Sequence, residues 1–350
     1  MLNNWLKPLG KEAISNYKKA PENSLAAHLY KNIQIKDRID QQVALIFCCE
    51  QADQVRSSFA DLEFKDADIS VIDLGDIRNK DFSFPIPMLK ELIENHSIPI
   101  IIADSIEYSL TLSKTLESIF KDFQFSMATD RIHKILTIEN LLILENIKSI
   151  SGLGFQKHFS NPNFLKIPRW NKNSSLSLGE IRDDFTELEP ALRNINAFSF
   201  DTSCVRHSDF ASSNQNPCGL FAEEACKLFN YLGMAEQIKG IHIHGFDPSK
   251  KLPNYNVKLL ATMIWYFLDG LSKRKHDLDN QQDLIKYMVT INDDIEAISF
   301  WKSPSSNRWW VEVPNNLKDK KDFIPCSENE YKMACKDIIS DRLFKIFYST

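Results

Sequence analysis

Long apolar runs, net charge and glycine are all scarce in this 350-residue chain. No apolar stretch approaches the ~20 residues that span a bilayer, so no membrane segment is expected. The net charge of −5 gives no reason to expect nucleic acid or an anionic membrane as a partner. Met1-Leu2-Asn3-Asn4-Trp5 lacks the basic region and apolar core of a secretion signal. Seven cysteines is an odd count in a long chain. Reduced thiols in the cytoplasm are the expectation. Glycine numbers only 10. Gly152-Leu153-Gly154 lacks the third glycine of a dinucleotide loop and opens no clear helix. No glycine pattern of a nucleophile elbow surrounds Ser208, which stands between His207 and Asp209. There is also no internal repeat and no low-complexity linker.

What the chain does contain is a series of short apolar runs. Val43–Cys49, Ile69–Leu74, Ile98–Ile102 and Phe123–Ala128 have strand length. So do Asn146–Gly152, Ala197–Phe200, Ile238–Ile243 and Tyr287–Ile291. Continuous apolar runs suit parallel strands buried on both faces. Helical spacing lies between most of them, at Met88–Asn95, Leu110–Phe120 and Val257–Leu271. Alternation of this kind predicts a three-layer α/β/α sandwich around a mostly parallel sheet. We read residues 1–40 as an N-terminal extension and 41–302 as the α/β domain. Residues 303–350 form an aromatic C-terminal tail packed on that same domain. Within the tail, Trp309-Trp310-Val311-x-Val313 has the pattern of a strand.

The stretch Ser199–Pro248 draws the chemistry together. Ser199-Phe200-Asp201-Thr202-Ser203 ends a strand and enters a polar loop that runs to Asn216-Pro217-Cys218-Gly219-Leu220. A helical pattern follows, then a strand ending Gly245-Phe246-Asp247-Pro248. This order resembles the ureohydrolases (arginase, agmatinase, formiminoglutamase), whose third metal motif is Ser-Phe-Asp-x-Asp and whose closing motif is Glu-x-Asn-Pro. Further stretches resemble one bacterial branch of that family: Gly152–Gln156, Leu178–Arg182, Glu189-Pro190, and the tail motifs Phe300–Ser303, Arg308–Pro314, Ile324–Ser327 and Tyr331–Cys335. The resemblance runs from about residue 40 to the C-terminus. It implies the ureohydrolase fold, with family members assembling as homo-oligomers.

The family holds two manganese ions through carboxylates and imidazoles at strand ends, and the pair activates a water toward an amidine carbon. At the matching positions this chain departs. The first motif reads Ile102-Ala103-Asp104-Ser105-Ile106, with Ser105 where the family has His; a one- or two-residue shift would offer Asp104 or Glu107 instead. The second reads Thr129-Asp130-Arg131-Ile132-His133, with all three ligand positions changed. Arg131 brings a charge that cannot be removed by deprotonation. The third keeps Asp201 and has Ser203 for the second Asp, while Gly245 stands for the closing Glu.

Asp201 has two readings: a strand-end cap for the following turn, or a ligand of a residual single-metal site with His133 and Asp104 or Asp130. His242-x-His244 share a face of their strand and are expected to pack beneath a helix. Arg131, Arg182 and Arg206 could gather around an anionic ligand in the former metal cleft. The expected function is a ureohydrolase-fold protein without the dinuclear site, acting in binding or regulation. No cofactor is expected, and the partner is a small molecule in the former cleft. The alternative is a manganese-dependent hydrolase of linear amidine C–N bonds with a rebuilt site.

Overall fold

The computed structural model describes residues 4–33, 42–66, 68–132, 141, 143–163, 166, 169–212, 214–247, 251–279, 281–290, 297–315 and 320–348. Its centre is a nine-stranded sheet in the order β1-β3-β2-β4-β9-β8-β5-β6-β7. These strands are β1 (Leu6–Lys7), β2 (Val43–Cys48), β3 (Val71–Ile77), β4 (Ile98–Ala103) and β5 (Phe123–Ala128), then β6 (Ile147–Phe155), β7 (Leu176–Ser177), β8 (Ala197–Asp201) and β9 (Gly240–His244). All neighbours pair in parallel except β1, which runs antiparallel to β3. Every residue of β2, β4 and β9 is buried, as strands covered by helices on both faces require. Four of the apolar runs, Ile98–Ile102, Ile238–Ile243, Ala197–Phe200 and Phe123–Ala128, lie side by side inside the sheet as β4-β9-β8-β5.

Helix α5 (Tyr108–Glu117) lies against β9, β8 and β5. The helices Ala222–Met234 and Asn254–Leu271 pack on each other, with Leu228, Phe229, Leu260 and Ile264 fully buried in the largest apolar cluster. Residues 4–33 are built into this body. Besides supplying β1, they bury Tyr17, whose hydroxyl donates to the Asp73 carboxylate at 2.8 Å. Asp73 also takes the Arg56 guanidinium at 2.8 Å, so a buried acid in β3 is satisfied from two other elements.

A second, antiparallel sheet has the order β10-β11-β12-β13. Its strands are β10 (Ile285–Val289), β11 (Ile298–Lys302), β12 (Trp309–Asn315) and β13 (Lys320–Cys326). The tail strands therefore complete a sheet begun by β10 and β11, and do not pair with the main one. Arg193 joins the two: it donates to the Trp309 carbonyl at 2.7 Å and lies over the Trp310 ring. Arg308 pairs with Glu189 at 3.0 Å and donates to the Met234 carbonyl.

Candidate functional site

Chain order and sheet order differ at β2, where β3 lies on one side and β4 on the other, and again where β9 and β8 separate β4 from β5. Loops leaving carboxyl ends at such points form the crevices of open α/β sheets. Asp104 follows β4, Thr129 follows β5, Asp201 ends β8 and Gly245 follows β9. Since these strands are contiguous, the four positions share one edge.

Asp130 is the most enclosed carboxylate there, with 1% of its side chain exposed. The Arg131 guanidinium donates to it through Nε and Nη2, the latter at 3.0 Å. The Ser203 hydroxyl donates to Oδ1 at 3.1 Å, and Asn214 Nδ2 approaches Oδ2 at 3.5 Å. Thr129 takes no part; its hydroxyl closes a turn with the Arg131 backbone. The second motif thus holds an internal ion pair, with the guanidinium supplying the positive charge.

Asp201 caps a short 3₁₀ turn (Thr202–Cys204) by accepting from the Ser203 backbone N–H at 2.9 Å. This is the strand-end cap. Its neighbour across the strands is His244, register partner of Asp201. Gly245 then turns away with φ +99°, and a Cβ there would sit 2.2 Å from Asp201 Oδ1. The backbone leaves no room for the family's glutamate. Ser105 donates its hydroxyl to the Glu107 carboxylate, so both stay local to the turn after β4.

His242 and His244 do share a face, with rings stacked at 4.8 Å. His242 Nδ1 bonds Ser109 Oγ of α5 at 2.9 Å, and Ser109 bonds Ser199 Oγ at 2.7 Å. Burial pushes the pKa of His242 well below the ordinary imidazole value, and the neighbouring His244 adds to this. Burial also lowers that of His244, opposed by the negative charges of Asp201 and Glu107. Burial thus favours the neutral form of both rings.

Of the other expected constellations, Ser208 donates to Asp209 at 3.0 Å while Asp209 pairs with Arg206, so no triad forms there. Arg182 and Arg206 come together, but Arg131 stays with Asp130. His133 lies outside the described residues, so its pairing with Asp201 does too. What sequence reasoning missed is a cavity of about 720 Å³ beside β6 and β7. Phe155, Leu178, Pro217 and Phe221 line it together with Arg182 and Arg206. None of Asp104, Ser105, Glu107, Thr129, Asp130, Arg131, Asp201, Ser203 or Gly245 does. A signal existed in the motif stretches Gly152–Gln156, Leu178–Arg182 and Gly219-Leu220, which converge around this space.

The described residues do not fit a dinuclear manganese centre. Such a centre needs several hard anionic or imidazole donors converging on two ions. Asp130 is committed to Arg131 and Ser203, Asp201 caps its turn, and among the described residues no three His, Cys, Asp or Glu side chains gather to hold an ion.

No protein-family profile matches the chain, and no curated protein does. Solved structures do. Formiminoglutamase of Trypanosoma cruzi, solved with Mn²⁺, is similar at 14% identity and TM-score 0.64, covering 73% of this chain and 100% of its own. Agmatine ureohydrolase of Thermoplasma volcanium is similar at 14% identity and TM-score 0.56, covering 73% and 96%. Formimidoylglutamase of Bacillus subtilis is similar at 15% identity and TM-score 0.57, covering 67% and 88%. These likenesses agree with the strand order and the crevice at its carboxyl edge: this chain has the arginase-like ureohydrolase fold.

Proposed function

We propose that this chain keeps the ureohydrolase fold without its metal chemistry and acts as a small-molecule binding protein. One observation carries the reading: the Asp130 carboxylate, at the second metal motif, is neutralised by Arg131 and Ser203 from the protein itself. A guanidinium fixed there repels a divalent ion. Without a metal pair, water at this edge keeps a high pKa and attacks an amidinium carbon poorly. His244 stands across from Asp201, and burial opposes its taking a proton. All seven cysteines are unpaired, which fits a reducing compartment such as the cytoplasm.

The test is release of urea or formamide from arginine, agmatine and formiminoglutamate, across a range of manganese concentrations. The expected result is no turnover above that of the Asp201→Ala variant. Turnover that manganese raises and Asp201→Ala abolishes would establish the alternative, a metal-dependent amidine hydrolase with a rebuilt site.

A further inference from the structure

The cavity beside β6 and β7 is used by nothing argued so far. Its volume, about 720 Å³, falls within the ~300–1,000 Å³ of small-molecule sites. One wall is a stack of flat groups. The Arg182 and Arg206 guanidinium carbons lie 3.7 and 4.2 Å from the centre of the Phe221 ring. Both guanidinium groups lie over this one ring. The side chains of Arg182 and Arg206 remain 36% and 38% exposed, so the stack is open to the cavity they line. Phe155 and Leu178 continue the wall as apolar surface.

The polar atoms narrow the ligand. Arg182 gives Nε to Glu224 at 3.0 Å and Nη2 to the Gly219 carbonyl at 2.8 Å. Arg206 forms an ion pair through Nε with Asp209 at 2.7 Å, and its two terminal amino groups make no hydrogen bond to the described residues. Such a fork matches the two oxygens of a carboxylate. The charge balance sets an upper limit. Lys157 is paired with Glu180 at 3.0 Å, and Asp183 adds a further negative charge to the lining. The lining residues carry three cations (Lys157, Arg182 and Arg206) against two acids (Glu180 and Asp183), a surplus of one positive charge, which a monoanion compensates and a dianion exceeds.

We propose that this cavity binds a flat aromatic monocarboxylate. The carboxylate sits on the two terminal amino groups of Arg206, and the ring system lies along Phe155, Leu178 and the Arg182–Phe221–Arg206 stack. The proposal rests on the binding-protein reading above and moves the ligand from the former metal cleft to its neighbour.

Isothermal titration of the full-length protein tests it, with 2-naphthoate as the probe. The comparison ligands are 2-naphthylmethanol, cyclohexanecarboxylate and inorganic phosphate. Naphthoate is expected to bind saturably at one site per chain. The neutral, the non-aromatic and the phosphate probes should each bind at least ~10-fold more weakly. Arg206→Lys, which keeps the charge and removes the fork, and Phe221→Leu, which removes the stacked ring, should each weaken naphthoate by ~10-fold or more. Circular dichroism confirms that each variant is folded, and the ligand series on the parent protein decides the matter if one is not. No saturable naphthoate binding at millimolar ligand would overturn the proposal. So would equal binding of the alcohol, tighter binding of phosphate, or unchanged affinity in folded Arg206→Lys. Manganese content and urea release, taken on the same preparation, judge the other reading separately. An active, metal-loaded protein that still binds naphthoate defeats only the non-catalytic function; an inert protein that ignores naphthoate defeats only this inference.

Discussion

Gly245 offers a sharp perturbation, because one methyl group there meets both the backbone and Asp201. In Gly245→Ala the residue must hold φ +99°, which L side chains tolerate at ~1–3 kcal/mol. The added Cβ would also stand 2.2 Å from Asp201 Oδ1 and 2.8 Å from Thr202 Oγ1. The carboxylate must therefore swing away and release the Ser203 N–H, a bond to a charged group worth ~1.5–3 kcal/mol. Together these come to about 2.5–6 kcal/mol of destabilisation. An unfolding entropy of ~2.1 cal/mol/K per residue over 350 residues turns this into a melting shift of roughly 3–8 °C. Gly179→Ala is the control, since a Cβ there meets nothing within 4 Å, and its melting temperature should hold or rise. Differential scanning fluorimetry reads both. Gly245→Glu, which restores the family's residue type, should melt still lower, and added manganese should not recover it. A Gly245→Ala variant that melts with the parent would refute the geometry. Gly245→Glu stabilised by manganese would refute the claim that the metal site has no room to return.

Three further outcomes follow from the same structure. Arg131→Gln leaves Asp130 with Ser203 and Asn214 but no cation; because Arg131 is about one-third exposed, the loss should be ~1–2 kcal/mol in urea unfolding. Glu189→Gln strips the shared partner from Arg193 and Arg308 between the two sheets. A loss of ~3–5 kcal/mol is expected, with the tail sheet's tryptophan fluorescence changing before the far-ultraviolet signal; a single unshifted transition would show that the two sheets do not depend on this cluster. His242 and His244 have folded pKa values below the ordinary 6.5. The unfolded chain therefore binds protons that the folded one refuses, and their contribution, full above the ordinary value, is lost as pH falls from ~6.5 toward the lower folded pKa values. The urea midpoint should drop across that window and drop less in His242→Gln, and a flat midpoint would contradict the burial argument.

The main sheet was legible because strands buried on both faces carry their own signal. Phe123–Ala128 coincides with β5, and Val43–Cys49 with β2 to within one residue. The signal weakens where polar residues are buried. β3 was expected at Ile69–Leu74 and runs Val71–Ile77, because Asp73 and Asp76 break the apolar run. Asp73 can be there only because Tyr17 and Arg56 meet it, and partners so far apart in sequence leave no local trace. β1 is two residues long and has no periodicity to read. In the tail, Trp309–Val313 showed a strand, but its pairing with β11 required the fold. The site divides in the same way. Asp201 as a turn cap and the histidine pair facing α5 could be read from strand ends and alternation. The Asp130–Arg131–Ser203 grouping joins two loops, and the cavity joins the segments that follow β6, β7 and β8. Only the strand order β8-β5-β6-β7 brings those loops together.

The central claim is that protein groups have replaced the metal pair, and manganese stoichiometry tests it most directly. The full-length protein would be loaded with excess manganese, desalted and analysed by inductively coupled plasma mass spectrometry against its protein concentration. Two divalent ions at ~4 Å repel strongly unless carboxylates surround them, since even unit charges interact by ~4 kcal/mol at an effective dielectric of 20. The predicted result is well below one manganese per chain, unchanged in Asp201→Ala. Two retained ions per chain, lost in Asp201→Ala, would contradict the account.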